Sequence, residues 1–173
     1  MNIENASYHT IVMFGGIDEL KQKLRKDKKK LRNIIDMKND NDETLLEIAL
    51  SYRNFKLAKL LLSNRAKVNN ISKEGYNEFH YLAANLHFEG ALECAKLLLK
   101  KGVDLSLQDH KYENTAMFSL CLEALKHPSP AVCEFICACL AKKQGIDEKN
   151  IRGNTVRMMV EERGTSEMRE ILS

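Results

Sequence analysis

Apolar residues in this chain fall in short runs at helical spacing, separated by polar links. The clearest case lies between Asn41 and Asn70. Leu45, Leu46, Ile48, Ala49 and Leu50 form one run, and Phe55, Leu57, Ala58, Leu60, Leu61 and Leu62 form the next. Each suits a helix of about three turns, with apolar positions three and four apart, and Ser51 to Asn54 is a polar link between them. A polar stretch, Ser63 to Asn70, follows the second run. The pattern predicts two short helices and then a loop.

The unit recurs. Glu74 to Ala83 repeats its first half and Gly90 to Leu105 its second, with Leu-Ala-Lys-Leu-Leu-Leu matched by Cys-Ala-Lys-Leu-Leu-Leu. Thr44 and Asn77 are 33 residues apart while Leu60 and Leu97 are 37 apart, so four residues, Leu86 to Glu89, are inserted between the paired helices. A looser copy runs from Asp109 through Asn114-Thr-Ala-Met-Phe to a second helix at Ala131 to Leu140, whose start Pro128 and Pro130 mark. Another opens at Asn150 and closes in a short helix, Ser166 to Leu172, and Ala6 to Phe14 with Ile17 to Leu24 reads as an atypical first pair. Self-similarity at this period marks a stacked repeat protein.

The units resemble ankyrin repeats. Thr44, Leu46 and Ala49 match the family's first helix, Leu57, Leu60 and Leu61 its second, and Ala66, Val68 and Asn69 its exit; Gly75, Phe79, His80, Gly102 and Asp104 match in the next unit. The resemblance covers nearly the whole chain. It implies an all-α solenoid of about four to five helix-turn-helix repeats with short hairpin loops, one domain over 1–173 divided at 4–39, 40–72, 73–107, 108–148 and 149–173. Three departures stand out: the proline after the motif threonine is missing, Asn77 replaces one threonine, and Arg65 stands where a glycine usually ends the second helix. Arg65 must then adopt a left-handed backbone at a cost of roughly 1 kcal/mol.

Thr44 followed by Glu47 is a capping box, so the first helix of that unit starts there. His80 holds the place of the motif histidine, whose ring bonds to the start of its own repeat, here Asn77; a structural role is expected. The charged stretch Asp18 to Arg32 and the acids Glu161, Glu162, Glu167 and Glu170 suit terminal caps, and the chain is expected to be complete.

Composition narrows the functional classes. Two prolines and eight glycines are too few for the turns of a sandwich or barrel. Met1 to Thr10 has neither a secretory nor an anchoring pattern, so a cytoplasmic protein off the membrane is expected, with its five cysteines as reduced thiols. Cys133, Cys137 and Cys139 are close in sequence, but no C-x-x-C pair accompanies them, and burial in a core is the favoured reading over zinc. Cys121 with His127 has no orienting motif for nucleophilic catalysis. Gly15-Gly16 is not followed by G-K-S/T, so no phosphate loop is read. No cofactor, metal or catalytic site is expected.

A protein-protein interaction module is the leading reading: an adaptor, an inhibitor or a microbial or viral effector in a host cytosol, acting as a monomer. In ankyrin proteins the concave groove is built from hairpin tips and first helices, which implies Asp42, Glu43, Leu45 and Arg53, then Tyr76, Glu78 and Tyr81, then His110, Tyr112 and Asn114 as partner-binding residues. Phe88, on the inserted turn, is either a further contact or a side chain folded over the neighbouring pair. The alternative uses charge. Lys21 to Arg32 carries eight basic residues and one acid, +7 within a chain of net +3, and would attract a nucleic acid or an acidic partner. No aromatic residue interleaves it to stack on bases.

Overall fold

The computed structural model describes residues 5–173, so the first four residues, where the expected first unit begins, lie outside it. Among the described residues the regular structure is helical, in five consecutive pairs: α1 Tyr8–Phe14 with α2 Ile17–Lys26, α3 Leu45–Ser51 with α4 Phe55–Ser63, α5 Glu78–Ala83 with α6 Ala91–Lys101, α7 Ala116–Lys126 with α8 Pro130–Leu140, and α9 Val156–Arg163 with α10 Ser166–Leu172. First helices pack on first helices from α1 through α9, and second helices on second helices from α4 through α10. The result is a two-layered stack.

Local chemistry fixes where helices begin. Ser7, Thr44, Asn77, Thr115, Ser129, Thr155 and Thr165 each accept a hydrogen bond from a backbone N–H of the first turn, worth about 1 kcal/mol apiece. Pro130 occupies the first turn of α8, where no N–H partner is lost. First-helix C-termini are capped from the neighbouring pair. The Asn54 side-chain amide donates to the carbonyls of Val12 and Gly15, and the buried Asn85 amide donates to those of Leu50 and Ser51. Stacking therefore supplies hydrogen-bond partners as well as apolar contact.

The core runs unbroken through the stack. In α3, Leu45 to Leu50 are all buried, a helix enclosed on every side by α1, α4 and α5. Phe79 and Phe135 carry the same core from α5 to α8, with ring centroids 6.4 Å apart. Three of the loops leaving second helices put a non-glycine residue in the left-handed region: Lys28, Arg65 and Lys143, with φ of 52°, 67° and 54°. Gly102 fills the same role after α6.

Between pairs the chain turns through four hairpins, each closed by a backbone bond: Asn39 to Glu43, Ser72 to Tyr76, Asp109 to Asn114 and Asn150 to Asn154, all with N···O of 3.0 Å. Adjacent tips are tied as well, the N–H of Lys73 to Asn41, of His110 to Glu74 and of Ile151 to Tyr112. Gly75 has φ of 78°, and a Cβ there would come within 2.7 Å of the His110 ring, so the close approach of two tips requires it.

Polar groups buried beneath the tips hold them. The Glu47 Oε2 accepts from Thr44 N–H at 2.7 Å and from the Asn70 amide at 2.7 Å, while Oε1 is buried with no hydrogen-bond partner among the described residues. Glu78, also fully buried, accepts from the N–H groups of Asn69 and Asn70. Lost hydration, with Glu78 nearby, pushes the Glu47 carboxyl up to about 7, and burial raises Glu78 in the same direction. An unfolded glutamate titrates near 4.5, so the folded state holds the Glu47 proton more tightly. That stabilisation is complete below the unfolded value and is lost as pH rises through 7. Denaturant unfolding at pH 5 and pH 8.5 should show lower stability at the higher pH, by up to about 3 kcal/mol from Glu47 alone. Glu47→Gln should remove most of that difference, and an unchanged difference would mean that another group titrates.

Candidate concave groove

The first helices and hairpin tips form a trough along one side of the stack. Its middle lies among Tyr76, His80, Tyr81, Asp109, Tyr112 and Asn114, with Ser51, Asn85 and Ser119 along the helices. From Tyr112 and Asn114 it continues past Phe118, Leu122, Ile151 and Asn154, and then to Met158 and Arg163. Shared lining residues make these one continuous surface.

The middle is aromatic and held rigidly. Asn77 N–H donates to His80 Nδ1, which leaves the ring proton on Nε2, where it donates to the Asn114 carbonyl; burial lowers the basicity of this neutral imidazole. Tyr76 stacks on the His80 ring at 5.3 Å and meets Tyr81 edge-on at 5.4 Å. The Tyr81 hydroxyl donates to Glu43 Oε1 at 2.9 Å, and Asn39 donates to the other oxygen. Burial and that carboxylate raise the Tyr81 phenol above its ordinary range. Side chains fixed before any partner arrives lose little entropy on binding.

The C-terminal end is more apolar. Tyr112 is 43% exposed, Ile151 63% and Met158 50%, over the buried Phe118 and the half-buried Leu122. Phe118 and Met158 stand three residues after the capping Thr115 and Thr155, the register that His80 holds after Asn77. Sequence pattern alone passed over them, although that register was the available signal.

The structure sorts the residues expected in the groove. Asp42 and Glu43 are half-buried at the first tip, and Tyr76, Tyr81, Tyr112 and Asn114 line the middle. Exposed His110 is tied to the preceding tip, with Nδ1 at 3.0 Å from the Lys73 carbonyl. Leu45 is a correction: it is completely buried, because α3 is enclosed by both neighbours. Glu78 is another, since its carboxylate turns inward to bond the backbone of Asn69 and Asn70. Arg53 and Phe88 meet outside the trough, at the turns between paired helices, with the guanidinium 4.3 Å from the ring centre. Leu86 of the inserted turn is buried, so the insertion is anchored by one residue and displays the next three.

Around Arg53 and Phe88 a ladder of rings crosses the turns. Phe14 meets Tyr52 at 5.7 Å, and His87 lies 4.1 Å from Phe88 and 4.2 Å from His127. His127 is thus engaged with His87, while the Cys121 thiol is enclosed in the core, where burial raises it. Cys94 and Cys139 are buried too, their thiols pushed up to about 11 and about 12 by lost hydration. Contrary to the expectation of core burial, Cys133 and Cys137 are only half-covered. Among the described residues no group of three or more His, Cys, Asp or Glu is placed to hold a metal ion.

The basic segment forms α2 and the turn after it. Asp27 accepts from the Tyr8 hydroxyl and pairs with Lys23, and Lys29 lies over the Tyr8 ring at 5.8 Å. Lys21, Arg25, Lys28, Lys30 and Arg32 are exposed. No described helix is long and apolar enough to cross a membrane.

Stacked helix pairs, projecting hairpins and a trough along the first helices define a repeat scaffold of the kind that binds other proteins. The family model for ankyrin repeats, in three copies, matches residues 9–109, and the chain belongs to that family. No curated protein matches the sequence. A chain of the solved complex of the predatory endopeptidase Bd0816 from Bdellovibrio bacteriovorus with the immunity protein Bd3460 superposes with a TM-score of 0.67. The match is 19% identical and covers 97% of this chain and 80% of that one, and at this identity it is a likeness of fold alone.

The cysteine arrangement gives a direct check. A maleimide applied to the native protein should label Cys133 and Cys137, with Cys94, Cys121 and Cys139 reacting only after unfolding. Peptide mapping by mass spectrometry reads the result. Native labelling of Cys121 or Cys139 would contradict the packing.

Proposed function

We propose that this chain is a protein-binding module that captures a folded partner in its concave groove and performs no chemistry of its own. The observation that carries this reading is the continuous trough from Tyr76 to Met158, rigid and hydrogen-bonded in the middle and apolar at one end. Pre-set tyrosines beside exposed apolar side chains are what binding hot spots are made of. Glu43, Tyr76, Tyr81, Tyr112, Ile151 and Met158 are the residues assigned to contact, the tyrosines offering a hydroxyl as well as a ring. The complex of an endopeptidase with an immunity protein supports an inhibitory version, in which the groove masks the partner's working surface. The chain acts as a single monomeric ankyrin domain in the cytoplasm.

Tyr112 and Ile151 are exposed, so replacing them spares the core. In pull-downs from cytosolic lysate, Tyr112→Ala with Ile151→Ala should lose a partner that the unaltered chain retains. With that partner purified, binding should weaken by about tenfold or more, with the circular dichroism spectrum unchanged. Equal capture by both proteins would remove the groove as the working surface. If elevated salt alone abolished the capture, an acidic partner on Lys21 to Arg32 would replace this reading.

A further inference from the structure

On the opposite layer a second concavity lies between α8 and α10, with a volume of about 660 Å³. Two helix faces form it. From α8 come Pro130, Cys133, Glu134 and Cys137, at spacings of three, four and seven; from α10 come Glu167, Glu170 and Ile171, at three and four. Each is one face of its helix. Pro130, the two half-covered thiols and Ile171 give it an apolar lining, whereas Glu134, Glu167 and Glu170 are exposed carboxylates.

No lysine or arginine lines this cleft, and none pairs with its three acids among the described residues. The nearby cations are engaged elsewhere: Arg169 Nε donates to the carbonyls of Val160 and Glu161, and Arg157 holds Asp147 and the Leu172 carbonyl. The thiols report the same field. Burial comes first, then Cys133 and Glu167, in raising Cys137 above its ordinary value. An apolar seam between parallel ridges accepts the side chains of another helix, and carboxylates beside it that have no lysine or arginine partner select the charge that this helix must carry.

We propose that the cleft between α8 and α10 docks an amphipathic helix of a partner protein, with an apolar stripe flanked by lysine or arginine. The stripe sits over Cys133, Cys137 and Ile171, and the cations reach Glu134, Glu167 and Glu170. This site is separate from the groove and does not depend on it.

The test uses the full chain and two fluorescein-labelled synthetic peptides, one with leucine and lysine at helical spacing and one with each leucine replaced by serine. In fluorescence anisotropy the leucine peptide should bind, and the serine peptide should bind about tenfold more weakly or worse. Bound leucine peptide should slow maleimide labelling of Cys133 and Cys137, a readout that needs no variant. Glu134→Lys, Glu167→Lys and Glu170→Lys together should abolish binding with the circular dichroism spectrum kept, whereas Tyr112→Ala with Ile151→Ala should leave it intact. Unchanged thiol labelling at saturation, or equal binding by the charge-reversed chain, would overturn the proposal. Loss of binding in the groove variant would place the peptide in the groove and overturn it as well. Self-association of the chain that charge reversal removes would assign the cleft to a second copy instead.

Discussion

No pair of helices in this protein can bury its own apolar surface, and the rest of the structure depends on that constraint. The helices are six to eleven residues long, below the length at which an isolated helix is stable in water. An interior helix such as α3 also carries apolar residues on more than one face, so it needs a neighbour on either side. Once pairs stack, polar bookkeeping follows the same geometry: Asn54 and Asn85 cap the first helix of the preceding pair, and backbone bonds tie each hairpin tip to the next. A rigid trough then results without further design, since first helices held in register leave their inner faces in a row.

The interior beneath the tips is unusual in being acidic. Glu47 stands where His80 stands in the next unit, three residues after the capping residue, yet the two do different work. His80 bridges Asn77 to the Asn114 carbonyl as a neutral ring, whereas Glu47 gathers Thr44 and Asn70 on one oxygen. Glu78 fills the place of the family's proline and uses its carboxylate to hold Asn69 and Asn70, whose own side chains reach Gly102 and Asp42. Hairpin placement, and hence the groove floor, is coupled to two buried carboxyl groups that lose stability on ionisation.

Much of this was legible in the chain itself. The 33-residue spacing of Thr44 and Asn77, the capping box at Thr44 and the left-handed Arg65 are properties of short segments, and local sequence determines them. The side on which a residue emerges was harder to read. Leu45 and Glu78 follow the capping residue of their helices and look exposed on one helix alone; Leu45 is enclosed because α3 has a helix on either side, and the Glu78 carboxylate turns inward to Asn69 and Asn70. Arg53 was misplaced because the polar link of its unit folds away from the groove, towards Phe88. Phe118, Ile151 and Met158 were missed because their degenerate units hide the register. The cleft between α8 and α10 depends on two helices with all of α9 between them in the chain, which no local pattern brings together.

The central claim is that the rigid row of first helices and hairpin tips is the surface that holds a partner. Hydrogen-deuterium exchange of the full chain, alone and with a captured partner, tests it directly. The account predicts slowed exchange at residues 72–81, 109–122 and 150–158, with α4 and α6 unchanged. Protection confined to α4 and α6, or to the Lys21 to Arg32 segment, would contradict it.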